Sequence, residues 1–217
     1  MARIRPKNID LIKKLTGFHK SYFNMADLEK VLGLKRDSLY VTLNRLVKAG
    51  VLDRLAKNIY SLFTEGLDIE KIANELYFPS YLSFEQALSQ YSILSQIPYT
   101  LTFATIRPTK KMTIANVAVE YSHIKRELFF GYTLKNDRYI AEKEKALLDQ
   151  LYMVSLGKRS IDIEELDLKD INKEKLNEYA KKFPSAIQLL LNQVKKYIGT
   201  TPISLEGNER ITWNRSA

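Results

Sequence analysis

The chain has 217 residues, 45% hydrophobic and 27% charged, with no cysteine and a net charge of +9. That length allows one large core or two small ones, and two are expected. A disulfide frame and a thiolate metal site are excluded, and no apolar run approaches the roughly 18 residues of a membrane span.

Thirteen of the 34 Lys and Arg but only five of the 25 Asp and Glu fall in residues 1–64, a balance of +8 that leaves +1 for the remainder. A basic excess confined to one module is the footprint expected for phosphate binding, although charge alone equally fits a solubilising surface. The opening MARIRPKNID lacks the apolar core of a signal peptide, so a cytoplasmic protein is expected.

In chain order, Lys7–Thr16 predicts a helix with Ile9, Leu11, Ile12 and Leu15 inward, stopped at Gly17. Phe18, Tyr22 and Phe23 are expected to cover a small core. His19 reads as a surface or packing residue. Asn24 caps a second helix whose third position is Asp27 and whose buried side is Met25, Leu28, Val31 and Leu32; Gly33 makes the turn.

The stretch Leu34–Gly50, LKRDSLYVTLNRLVKAG, places Leu39, Leu43, Leu46 and Val47 on one helical face and Arg36, Asp37, Val41, Asn44, Arg45 and Lys48 on the other. Lys35 occupies the cap position, where Ser, Thr or Asp is the usual choice. Two short helices joined by a glycine turn, the second basic on its outer face, match a helix-turn-helix whose second helix enters the major groove.

Val51–Leu55 and Ile59–Phe63 then form a hairpin through Ala56, Lys57 and Asn58, with Asn58 taking the positive φ that a three-residue connection needs. This is the expected wing. Arg36, Tyr40, Asn44 and Arg45 are assigned to base edges or flanking phosphates, and Lys35, Ser38, Lys48, Arg54 and Lys57 to the phosphate backbone. Arg36 suits the fork of a guanine and Asn44 that of an adenine.

Asp68–Tyr77 predicts a further helix, punctuated by Glu65, Gly66 and Phe78-Pro79. Ser83 and Gln86 read as a capping box ahead of a stripe of Phe84, Ala87, Leu88, Tyr91 and Leu94. Strands follow at Thr100–Ile106, at Met112–Tyr121 with its phase broken near Ala115 and Asn116, and at Glu127–Leu134. The basic loop Arg107 to Lys111 reads as a solvated hairpin tip or a second phosphate contact.

Ala141–Ser155, AEKEKALLDQLYMVS, is a strong helix with Leu147, Leu148, Leu151 and Val154 inward and its charged residues on a solvated face. An acidic stretch spans Asp162–Asp170. A helix over Lys173–Lys182 is capped by Asn172, and one over Ala186–Ile198 by a Ser185/Gln188 capping box.

The expected class is therefore α+β: an amino-terminal winged helix-turn-helix (1–64), a connecting helix or linker (65–80), a mixed α/β carboxy-terminal domain with a small mostly antiparallel sheet and C-terminal helices (81–199), and an extended or mobile tail (200–217).

Signals for chemistry are sparse. His19 and His123 stand apart with no ligand-spaced partner, and the eight glycines form no phosphate loop. Glu142, Glu144 and Asp149 invite a nuclease reading, but residues two apart on a helix diverge by about 200°. No catalytic residue, cofactor or metal is expected, and the protein is read as a non-enzyme.

The winged helix, followed by YLSFEQALSQYSIL, the strand YTLTFAT and the helix AEKEKALLDQLY, resembles the AbiEi family of antitoxins from type IV toxin-antitoxin systems, over roughly Asp10 to Tyr152. The resemblance implies that the first module binds double-stranded DNA, an operator in its own promoter, and represses it. It also implies that the larger domain neutralises a nucleotidyltransferase-like toxin, functionally rather than through a stable complex. Two alternatives stand beside it: a ligand-responsive winged-helix transcription factor with a small-molecule pocket in the second domain, and a DNA-processing enzyme.

Overall fold

The computed structural model describes residues 6–62 and 67–199. Their backbone contacts divide the chain into two units, Met1–Leu76 with Lys111–Val119, and Tyr77–Lys110 with Glu120–Ala217. The ends expected for the wing strand (Phe63) and for its module (Thr64), the punctuating Glu65 and Gly66, and the tail 200–217 lie outside the described residues.

In the first unit, α1 (Pro6–Thr16), α2 (Met25–Leu32) and α3 (Arg36–Lys48) surround a core of Leu15, Phe23, Leu28, Leu39, Leu43 and Leu46. A two-residue strand β1 (Phe23–Asn24) and the hairpin β2 (Leu52–Ala56) and β3 (Ile59–Leu62) complete it as a sheet ordered β1-β3-β2. Leu15 anchors α1, with Leu11 and Ile12 partly buried beside it, whereas Ile9 is 45% exposed, against expectation. It lies more than a turn before Leu15, near the helix start.

Asn24 caps α2 reciprocally: the Asp27 amide donates to Asn24 Oδ1 (2.9 Å) and the Asn24 amide donates to Asp27 Oδ2 (3.1 Å). Gly33 (φ 63°) turns the chain into α3. That helix ends in a Schellman motif, with the Gly50 amide donating to the Val47 carbonyl and the Val51 amide to the Leu46 carbonyl. Gly50 (φ 67°) takes the left-handed step that closes it, and Val51 and Leu46 are both buried there.

Next in the chain come α4 (Ile69–Leu76), which groups with the first unit, then β4 (Ser80–Leu82), α5 (Phe84–Gln90), β5 (Thr100–Thr105), β6 (Lys110–Ile114), β7 (Val117–His123), β8 (Tyr132–Lys135) and β9 (Arg138–Ala141); of these, β6 after Lys110 and β7 up to Val119 also group with the first unit and the rest with the second. The strands form a six-stranded sheet ordered β6-β7-β5-β4-β9-β8, with antiparallel β4–β5 and β8–β9 and a parallel β4–β9 pair. Helices α6 (Lys143–Ser155), α7 (Lys173–Ala180) and α8 (Gln188–Tyr197) follow. The class is α+β, as expected.

Several local expectations are corrected. Ser83 and Gln86 do not form a capping box: Ser83 is fully buried and donates to Asp149 (2.8 Å), while Thr102 Oγ1 receives the Gln86 amide (3.3 Å). A tertiary acceptor outcompetes the local one. Phe84, also fully buried, turns the chain into α5 with φ 58°.

Glu127–Leu134 is not one strand. Its first part is a single 3₁₀ turn, Arg126–Leu128, and only Tyr132–Lys135 pairs, because Phe129 and Phe130 pack their rings on Tyr81 and Tyr179 instead. The broken phase at Ala115 and Asn116 is a tight turn with φ 46° and 68°. Ser185 makes no cap; a 3₁₀ turn, Ser185–Ile187, leads into α8. Ala141 belongs to β9 rather than to α6.

Candidate nucleic-acid interface

Helix α3 is positioned by its leucines. Leu39, Leu43 and Leu46 point into the first unit's core and α3 packs against α2 and β2, which leaves Arg36, Asp37, Ser38, Tyr40, Val41, Asn44, Arg45 and Lys48 exposed on the outer side. Lys35 sits at the cap with extended backbone (φ −67°, ψ 153°) and makes no side-chain cap bond. Its ammonium is therefore not engaged in holding the helix start. Arg45 and Lys48 occupy the last turn, where cations complement the helix dipole.

The hairpin adds two cations. Arg54 is exposed on β2 opposite Tyr60, and Lys57 is exposed in the turn ahead of Asn58, which adopts φ 63°. The register shift between Arg54 and Ala56 is the bulge that accompanies such a turn. All nine residues assigned from sequence are solvent-accessible in this unit. Two exposed residues of the outer face stand outside that assignment, the acidic Asp37 and the apolar Val41, 71% exposed in the middle of α3. The signal for Val41 was its place among Arg36, Asn44 and Arg45 on one helical face.

Behind α3, α2 begins in a tied arrangement. Lys20 Nζ donates to Asp27 Oδ1 (2.8 Å). Partial burial would raise the Asp27 carboxyl, but the bonds from Lys20 and from the Asn24 amide hold it below its ordinary value.

The second unit's carboxylates do not gather. Glu142 accepts from Tyr179 and Lys175, Glu144 Oε1 accepts the Asn172 amide (2.9 Å), and Asp149 accepts from Tyr81, Ser83 and Lys145. Among the described residues no group of three or more potential ligands is arranged to hold a metal ion. The solvated face expected for this helix is overturned: Glu144, Lys145, Asp149 and Gln150 are all buried, because α6 is covered by α5, α7 and the turn before α8.

At its centre Lys145 Nζ donates to Tyr81 Oη (2.7 Å) and to Asp149, beneath the rings of Tyr81, Phe130 and Phe183. Burial lowers the Lys145 ammonium and raises the Asp149 carboxyl, each opposed by their pairing. A second, partly buried cation, Arg159, binds Glu85, Glu120 (2.8 Å) and Ser122 (3.1 Å) and stacks on Phe84. The Lys145–Asp149 pair is closed to solvent, whereas the Glu85 and Glu120 side chains on Arg159 are 26% and 23% exposed. His123 Nδ1 lies 3.1 Å from the Arg107 carbonyl.

The decisive comparison concerns the first unit. Residues 10–62 match the family described as transcriptional regulator, AbiEi antitoxin. The AbiEi match takes in α1 from Asp10, both later helices and the hairpin to Leu62. Every residue of the candidate interface, from Lys35 to Lys57, falls inside the AbiEi span. The motifs of the second unit that resemble the same family, YLSFEQALSQYSIL, YTLTFAT and AEKEKALLDQLY, lie beyond it. No curated protein matches the chain. Among the described residues no helix is long and apolar enough to cross a membrane.

Proposed function

We propose that the chain is a cytoplasmic DNA-binding repressor and antitoxin of the AbiEi type, acting by binding rather than by catalysis. Its first module, residues 1–64, is a winged helix-turn-helix that grips the operator of its own promoter. The carboxy-terminal domain, residues 81–199, counters a nucleotidyltransferase-like toxin without requiring a stable complex.

One observation carries the DNA-binding half: Arg36, Tyr40, Asn44 and Arg45 stand exposed on the side of α3 opposite its buried leucines. Beside them the hairpin presents Arg54 and Lys57. In this reading α3 enters the major groove, with Arg36 forking onto guanine and Asn44 onto adenine. Lys35, Ser38, Lys48, Arg54 and Lys57 hold phosphates. Val41 meets a thymine methyl, the apolar contact that a major groove offers.

The test is a gel shift with DNA from upstream of the gene. Replacing Arg36 and Arg45 together with Ala abolishes the specific complex, and unchanged binding rejects α3 as the reading helix. The antitoxin half is scored by co-expression with the product of the adjacent gene, where rescue of growth is the expected result.

A further inference from the structure

Asp27, Lys30 and Val31, at i, i+3 and i+4, share one face of α2, and the end of α1 brings Lys14 and Phe18 against it. Together they line a pocket of about 150 Å³ in the first unit, with an apolar floor of Phe18, Phe23 and Val31 and a rim of Lys14, Lys20, Lys30 and Asp27.

The rim is short of negative charge. Lys20 Nζ is paired with Asp27 Oδ1 (2.8 Å), and the Asn24 amide at the start of α2 takes the other oxygen of that carboxylate (3.1 Å). Lys14 Nζ donates to the neutral Val31 carbonyl (2.8 Å), and Lys30 is exposed; among the described residues neither forms an ion pair. Three ammoniums therefore share one carboxylate.

The floor is short of cover. Phe18 is half exposed, and its ring stands edge-on to buried Phe23 with the centroids 6.4 Å apart. A further ring laid there takes Phe18 out of water and meets an aromatic wall. A cavity of this size holds one benzene ring, which sets the size of the guest.

We propose that this pocket binds a small aromatic carboxylate, its single ring on Phe18 and Phe23 and its acid group against the Lys14 and Lys30 ammoniums. Ring and acid answer two separate deficits of the site: an aromatic side chain left half in water, and two cations without an anion. None of these residues belongs to the set that α3 and the hairpin present to DNA, so the site is independent of the DNA-binding reading. With about ten non-hydrogen atoms such a ligand binds weakly, in the millimolar range.

The test is titration of the isotope-labelled full chain, without DNA, with phenylacetate, followed by amide NMR shifts. Phenylacetamide, which lacks the charge, and acetate, which lacks the ring, are the controls. Phenylacetate is expected to give saturable shifts centred on residues 14–31, and each control to bind roughly tenfold more weakly. Added salt weakens phenylacetate and leaves phenylacetamide unchanged. Lys30→Glu reverses an exposed rim charge and Phe18→Ser removes the wall; each weakens phenylacetate roughly tenfold or more, and amide shifts elsewhere in the chain check that the fold is kept.

An absence of saturable shifts overturns the proposal, as do shifts centred away from residues 14–31. So does phenylacetamide binding as well as phenylacetate, or undiminished binding by Lys30→Glu.

Discussion

Asp149 accepts from Tyr81, Ser83 and Lys145 in a place without solvent. Removing one member of such a buried pair leaves the other charge uncompensated. Asp149→Ala should therefore cost about 3–5 kcal/mol in denaturant unfolding, whereas Lys145→Met with Asp149→Leu should cost less, since neither charge is then left buried alone. A double variant as unstable as the single one would refute that account.

Gly131 raises a related point. A Cβ there would lie 3.0 Å from Tyr179 Cε2 and 3.2 Å from Lys145 Cβ, at φ 67°, while at Gly50, with the same φ, it would meet nothing. Gly50→Ala is thus charged only with left-handed strain, about 1–2 kcal/mol. Gly131→Ala adds crowding and should melt lower than Gly50→Ala.

The Glu142–Tyr179 bond has a pH signature. Burial raises the Tyr179 hydroxyl and the bond to Glu142 raises it further, to about 12. Burial would raise Glu142, but the bonds from Tyr179 and Lys175 bring it below the ordinary carboxylate value. The stabilisation from Tyr179 is thus complete below about pH 10, its ordinary value, and is lost as pH rises through about 12. That from Glu142 is complete above its ordinary value and is lost as pH falls through the depressed one. Tyr179→Phe should flatten the alkaline loss in a thermal-unfolding series against pH.

At the scale of elements, the start of α3 sets stability against binding. Its cap position holds Lys35 without a cap bond. Lys35→Ser should raise stability by about 1 kcal/mol by accepting an orphan amide. In the proposed function it should also weaken DNA binding and reduce the salt slope by about one. Unfolding curves and gel shifts on the same variant separate the two effects.

The elements also differ in how readable they were. Helices α1, α2 and α3 each bury one side, so leucine spacing, Asn24, Gly33 and Gly50 mark their faces and ends. Helix α6 is covered nearly all round, and its polar residues, which in sequence look like a solvent face, are buried with their partners. Strand β4 has three residues, too few for a period. The β8–β9 hairpin carries one local signal, Asn136-Asp137 with φ 51° and 58°, the residue types that tolerate that turn.

For the whole molecule, the +8 balance of residues 1–64 against +1 elsewhere makes the proposed DNA contact strongly salt-dependent. If charges on α3 and the hairpin meet phosphates, log affinity should fall linearly with log salt, and replacing Lys48 and Lys57 with Gln together should lower the slope by about two. An unchanged slope would move the phosphate contacts elsewhere.

Sequence alone determined the helix-turn-helix pattern of the first module, its exposed basic face and the α+β class, because local periodicity, capping and turn chemistry act between near neighbours. Only tertiary structure decided what Ser83, Lys145, Asp149 and Arg159 do. Their partners lie up to 74 residues away along the chain, and whether a charged residue on a helix meets water or another buried charge depends on what folds over it.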